Sequence, residues 1–312
     1  MKSLIGKAKH FFTERPVPSS VLQISSRYLC GLQASPTDRK IKNHFILPLD
    51  EGVIHPSLDK KNIRDAALLE KKLRENVEKL HLYNHKACLL IPELSQRTFV
   101  FALDSLPPSR QEREQIVRFR IKKQMPLLTD DTRISFDILE TENGKKIVSS
   151  LAKAEIVRDF EDFFNQLRIK IRVISTPLLS LSNLIGGIKD KDFLLINLEE
   201  DSFSLIAVVD SVISLYRQKP LIVESTSQAS LEIKVRNIVQ EIQNTVNFIE
   251  DKEKKQIGTL WIRLEVLGSE EDVLKTLNEN LSFPVKEVGS LLQMKLSKRE
   301  KRILCPCLSQ VL

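Results

Sequence analysis

The chain has 312 residues, 42% of them hydrophobic and 29% charged, which suffices for two core-forming lobes and excludes global disorder. A formal charge of +7 permits an anionic partner, and the excess gathers at Lys2, Lys7 and Lys9 and again at Lys295, Lys298, Arg299, Lys301 and Arg302. With no apolar run near the roughly 18 residues of a spanning helix, no secretory signal, and neither a helix-turn-helix pattern nor interleaved basic and aromatic residues, the expectation is a cytosolic chain without a nucleic-acid partner.

Residues 1–12 place Leu4, Ile5, Ala8, Phe11 and Phe12 on one face of a short helix, with Lys2, Lys7 and Lys9 largely outside it. Two readings stand: a weak contact of this face and its lysines with an anionic membrane, and a frayed extension, which Gly6 and the short length favour. A proline-bearing spacer at 16–20 leads to two apolar runs over 21–35 that meet at Ser25-Ser26-Arg27, a β-hairpin, and 44–49 is a third strand. Ile63, Ala66, Ala67, Leu69, Leu73, Val77 and Leu80 keep a helical period over 63–80. Strands over 86–92 and 97–103 precede the break at Pro107-Pro108.

Ser109 caps a helix that carries Arg110, Arg113, Arg118, Arg120, Lys122 and Lys123 and stops before Pro126. Glu112 and Glu114 interrupt this charge, which favours a solvated face over a grip on an acidic partner. Strands over 135–139 and 146–152 flank the turn at Asn143-Gly144. A helix over 154–168, a strand over 169–174 and a helix over 177–185 follow, and Gly186-Gly187 closes the last.

Residues 192–216 read as a three-strand meander whose first turn is Asn197-Leu198-Glu199-Glu200-Asp201-Ser202. A long helix over 225–250, a core strand over 259–267 running into Gly268-Ser269, a helix over 270–281 and a closing edge strand over 283–288 complete the pattern. The basic tail over 296–312 reads as peripheral. Cys30, Cys88, Cys305 and Cys307 look like reduced free thiols, because Cys305-Pro306-Cys307 lacks a second ligand pair at metal spacing. His10, His44, His55, His81 and His85 have no acidic or cysteine partner at a spacing that argues for metal or catalysis.

The order of elements resembles the actin-like ATPase superfamily, a ribonuclease H-like α/β fold of two lobes with a small α/β subdomain inserted in the first. More closely, it is similar to the PilM family of cytosolic type IV pilus assembly proteins, itself related to the division protein FtsA. The residues that carry this are the helix over 109–124 followed by Met125-Pro126, an acidic turn and Phe136-Asp137-Ile138, and the helix over 237–248 with Glu241-Ile242 at its centre. The resemblance divides the chain into a basic N-terminal segment over 1–15, a first lobe over 16–175 with its insert at about 85–170, a second lobe over 176–295, and the tail.

That resemblance implies three nucleotide loops, and each is altered here. Where the family writes an acid for the metal ion and a glycine for close phosphate approach, this chain has Gln23 and Ser25, followed by Ser26. Asn197 and Glu199 replace the second Asp-x-Gly, and Gly268-Ser269 replaces a Gly-Gly. Glu199 and Glu200 would repel a polyphosphate. The expectation is therefore a non-hydrolysing scaffold, without ATP, magnesium or another metal, in a type IV pilus or type II secretion platform. Its implied partners are the cytoplasmic tail of a PilN-like single-span protein, held in a groove between the first lobe and its insert, and other platform proteins. It would sit in the cytoplasm, peripheral to the inner membrane. The alternative is an active ATPase or kinase-like enzyme on the same fold.

Overall fold

The computed structural model of the chain describes residues 18–311, apart from 80, 81, 83, 84, 104, 127, 142, 143, 222–227 and 267–269. The first part of the chain forms β1 (Ser20–Ile24), β2 (Tyr28–Ala34), β3 (Ile41–Pro48), α1 (Ala66–Lys79), β4 (Lys86–Leu90), β5 (Arg97–Leu103) and α2 (Arg110–Gln124). It continues through β6 (Thr132–Thr141), β7 (Gly144–Lys153), α3 (Ala154–Gln166), β8 (Lys170–Ser175) and α4 (Pro177–Leu181). The second part forms β9 (Phe193–Glu199), β10 (Ser202–Val209), β11 (Val212–Pro220), α5 (Gln228–Glu253), β12 (Thr259–Glu265), α6 (Glu270–Asn280), β13 (Val285–Glu287) and α7 (Lys298–Val311).

Two five-stranded sheets repeat one plan, with orders β3-β2-β1-β4-β8 and β11-β10-β9-β12-β13. Each begins with an antiparallel meander and continues with strands parallel to the first. Because successive side chains on a strand point to opposite faces, each sheet sorts its residues between two cores. Leu22, Ile24 and Leu29 meet α1 and α3 through Leu69, Leu73, Phe160 and Phe164. Leu194, Ile196, Leu260 and Ile262 meet α5 and α6 through Ile238, Ile242 and Leu277. The remaining faces, with Val21, Cys30 and Leu32 on one and Leu195, Ile206 and Val208 on the other, share a third core with α4 and α7. The sheets therefore enclose α4 and α7 between them. At Gly31 the first sheet is packed without space, since an added Cβ would come within 2.6 Å of Leu22 and 2.8 Å of Phe45.

Two expectations need correction. The tail over 296–312 is not peripheral: Ile303, Leu304, Cys305, Cys307 and Leu308 of α7 are buried in the shared core. Its cations lie in the first five residues of α7, where Lys298 and Arg302 pair with Glu271 and Glu287, while the apolar stripe behind them supplies the packing. The inserted subdomain is also narrower than 85–170. β4 pairs with β1 and β8 at the interior of the first sheet, and Phe160 and Phe164 of α3 belong to that lobe's core. The insert proper is the three-stranded sheet β5-β7-β6 with α2, closed by Val117 and Ile121 against Leu103, Ile147 and Leu151. No helix among the described residues is long and apolar enough to cross a membrane.

Candidate functional site

The faces that the two sheets turn toward each other are apolar at one end and polar at the other. The period of two that places Phe193 and Leu195 in the shared core also places Asn197 and Glu199 on that face. On the parallel neighbour β12 it places Trp261, Arg263 and Glu265 in line, with Arg263 opposite Asn197 and Glu265 opposite Glu199. Across from them stand Gln23 at the end of β1 and Tyr28 at the start of β2. These positions lie at the carboxyl ends of the parallel strands, where open α/β sheets ordinarily receive ligands.

Side chains fill this position. The Arg263 guanidinium is fully buried and donates from Nη1 to Glu199 Oε1 and to Asn197 Oδ1, both at 2.7 Å. From Nη2 it donates to the Tyr28 hydroxyl, which in turn faces Glu199 Oε1 at 3.4 Å. Gln23 Nε2 donates to the same hydroxyl at 2.6 Å. The remaining edge, Nε, donates to the carbonyl of Arg302 on α7 at 2.7 Å. That carbonyl is available because the residue four positions on is Pro306, which has no N–H to return the helical bond. Thus the Cys305-Pro306-Cys307 turn of α7 gives up one backbone bond and the buried arginine uses it.

The charges balance inside the protein. Burial pushes the Glu199 carboxyl upward and Arg263 pulls it back, and the 2.7 Å contact with an always-protonated guanidinium makes the two an ion pair. Burial pushes Glu265 up to about 8 against the pull of Arg263, so it holds its proton at neutral pH. The thiols behave as small apolar groups: burial pushes Cys88 and Cys305 up to about 12. Cys30 and Cys307 lie with Sγ atoms 3.9 Å apart, and all four cysteines are free.

The sequence-derived loop residues divide accordingly. Gln23, Asn197 and Glu199 meet around Arg263. Ser25 closes the β1–β2 turn, its Oγ accepting from the backbone of Arg27 and Tyr28 at 3.2 and 3.1 Å, and with Ser26 it stays outside the cluster. Glu200 lies on the β9–β10 turn, where its carbonyl accepts from Lys234 Nζ. Gly268 and Ser269 fall outside the described residues, as do Lys2, Leu4, Ile5, Lys7, Lys9, Phe11 and Phe12. The repulsion expected from Glu199 is corrected, because Arg263 neutralises it. Sequence reasoning missed Arg263, Tyr28, Glu265 and α7. The available signal was the charge pattern of Trp-Ile-Arg-Leu-Glu, two polar residues sharing one face of an otherwise apolar strand.

Between the two hairpin turns a cavity of 490 Å³ remains, bordered by Ser26, Arg27, Glu51, His55, Glu200 and Asp201. A larger opening lies elsewhere. β6 is the edge of the insert sheet and β8 the edge of the first-lobe sheet, and between them run adjoining hollows of 690 and 310 Å³. Phe136, Ile138, Val173, Ile174, Leu179 and Ile213 supply apolar lining to the larger one. Arg133, paired to Glu161 at 2.9 Å, and Arg172 line the smaller. The lobes are pinned beside this groove by Glu93, which accepts from Leu178 N at 2.6 Å and from the Tyr216 hydroxyl at 2.7 Å. Burial pushes Glu93 up to about 7. Among the described residues no cluster of three His, Cys, Asp or Glu is arranged to hold a metal ion.

The whole fold aligns with a solved PilM-PilN type IV pilus biogenesis complex at a TM-score of 0.76 and 13% identity, covering 95% of this chain and 97% of that one. A Bacteroides thetaiotaomicron protein described as having an actin-like ATPase fold aligns at 0.55 and 9% identity, covering 93% and 95%. This protein has an actin-like fold. The cytoplasmic domain of EpsL, an inner-membrane component of the Vibrio cholerae type II secretion system, shares that actin-like fold at 0.52 and 7% identity, covering 93% and 94%. No protein-family model and no curated protein matches the sequence. In actin-like terms the two five-stranded sheets are the lobe cores, β5 to β7 with α2 are the insert, and the Arg263 cluster fills the base of the cleft between the lobes.

Proposed function

We propose that this chain is a scaffold of a type IV pilus or type II secretion platform that holds the cytoplasmic tail of a PilN-like single-span protein without using nucleotide. The observation that carries the reading is the side-chain cluster that fills the base of the cleft. A magnesium-nucleotide needs a metal-facing carboxylate, backbone that approaches phosphate and room between the lobes. Gln23 replaces the carboxylate, Ser25 spends its side chain on its own turn, Arg263 with Glu199, Tyr28 and α7 fills the base of the cleft, and the 490 Å³ cavity left between the hairpin turns is bordered by Glu51, Glu200 and Asp201. The residues present do not fit that group.

The groove between β6 and β8 supports the partner half of the reading. It is open, lined by apolar side chains, and bordered by two strand edges whose backbone groups can pair with an extended tail. The protein in the structure it resembles is complexed with PilN. On this reading the chain is cytoplasmic and peripheral to the inner membrane, with other platform proteins as further partners, no nucleic-acid partner, and an N-terminal contact with lipid through residues 1–12.

Titration with a synthetic peptide copying the tail of the PilN-like protein from the same genome tests the partner half, and thermal melting with Mg-ATP tests the other. The expected outcome is saturable peptide binding lost on Ile138→Glu, with a melting temperature unchanged by Mg-ATP. Micromolar ATP binding would restore the ATPase or kinase-like alternative, and peptide binding indifferent to Ile138→Glu would remove the groove.

A further inference from the structure

The insert carries a feature that the tail groove does not use. α2 packs inward through Val117 and Ile121, so its opposite side faces solvent. At the centre of that side stands Phe119, 59% exposed, the most exposed large hydrophobic side chain among the described residues. Around it are Arg120, Lys122 and Lys123, all exposed, with half-buried Arg118 alongside. Lys123 Nζ lies 4.7 Å from the centroid of the Phe119 ring. Glu112 and Glu114, which interrupt the charge in the sequence, stand toward the N-terminal half of the helix and leave the run from Gln115 to Gln124 without a carboxylate.

Lys298 and Arg302, by contrast, are matched by Glu271 and Glu287. Among the described residues no carboxylate pairs with Arg120, Lys122 or Lys123. Beside the ring opens a shallow hollow of 650 Å³ bordered by Leu106, Pro107, Ile116 and Phe119, with Glu112 and Gln115 also on its wall.

We propose that this face of α2 docks on an anionic lipid surface, with Phe119 entering the headgroup layer and Arg120, Lys122 and Lys123 meeting lipid phosphates. An aromatic ring encircled by cations on a surface helix is the chemistry of interfacial binding. The cations spread around the ring and do not converge on one point, which suits a field of headgroups better than a single acidic side chain. One such patch binds weakly, and reversible anchoring gains from a second contact. If residues 1–12 also touch lipid, as proposed above, the two contacts act together. The platform reading supplies only the nearby membrane. The α2 surface itself is argued from its own residues.

Sedimentation of the full chain with phosphatidylcholine vesicles, to which phosphatidylglycerol is added stepwise, tests this with neither partner peptide nor nucleotide present. Its outcome is therefore separable from that of the groove or the cleft. The expected result is binding that rises with phosphatidylglycerol and falls with salt. The triple variant Phe119→Ser, Lys122→Gln, Lys123→Gln should weaken it about tenfold or more. Phe119→Ser alone, which changes no charge, should weaken it about threefold, and Lys60→Gln with Lys71→Gln should leave it unchanged. A variant with Lys2, Lys7 and Lys9 changed to Gln should retain the part that depends on α2. Equal binding by the triple variant and the unaltered chain overturns the proposal. So does a loss confined to the N-terminal variant, or capture of an acidic protein with no vesicle binding at any phosphatidylglycerol content.

Discussion

Replacing Arg263 with methionine keeps most of the side-chain volume in the interlobe cleft and removes its charge. Four groups lose a donor at once: the Glu199 carboxylate, the Asn197 amide oxygen, the Tyr28 hydroxyl and the Arg302 carbonyl. Glu199 is 2% exposed, so water does not replace the guanidinium. Removing one member of a buried ion pair costs about 3–5 kcal/mol, chiefly from the charge left behind. Against a whole-protein stability of about 5–15 kcal/mol this is large. Urea unfolding followed by circular dichroism reads it as a lower midpoint. Adding Glu199→Gln to Arg263→Met removes the stranded charge and should return about 1–3 kcal/mol, so the pair couples strongly in a double-mutant cycle. If Arg263→Met costs less than about 1 kcal/mol and the cycle shows no coupling, the cluster is hydrated and the cleft is not closed by it.

The pH profile supplies a second prediction, since Glu93 and Glu265 are raised from 4.5 to about 7 and about 8 by burial. The native state holds these protons over a range in which the unfolded chain has released them, so their contribution is present near pH 5 and lost as pH rises toward 8. Glu265→Gln should flatten the fall in melting temperature over that window, and an unaltered profile would refute the buried acid. Leu304→Ala tests the placement of α7: a fully buried leucine in the shared core should cost about 2–5 kcal/mol in urea unfolding, whereas a peripheral tail would tolerate it.

Much of the architecture was legible because it is written in local periods. The apolar runs from Val21 to Leu32 and from Phe193 to Val209, the turns between them, and the helical repeat of Leu69, Leu73 and Val77 each rest on residues a few positions apart. Those periods sufficed to place the elements, and the order of the elements with the motifs at 109–138 and 237–248 carried the resemblance to an actin-like plan, from which the missing carboxylate and glycine at Gln23 and Ser25 follow. The boundaries of the insert were less legible, because β4 and α3 look alike in sequence whether they belong to the insert or to the lobe it interrupts. The tail was misread because its cations precede the stripe of Ile303, Leu304, Cys307, Leu308 and Val311. That stripe is itself a helical repeat and could have been found.

The sequence by itself determined most of the strands and helices, and through its resemblance which phosphate-loop side chains are absent. Only the tertiary structure decided what stands in their place. Glu199 and Arg263 are 64 positions apart and become neighbours through the parallel register of β9 and β12. Tyr28 and the Arg302 carbonyl arrive from another sheet and from α7. A buried charge can be balanced by any group that the packing brings within reach, and that choice is made across the whole fold, where no local pattern records it.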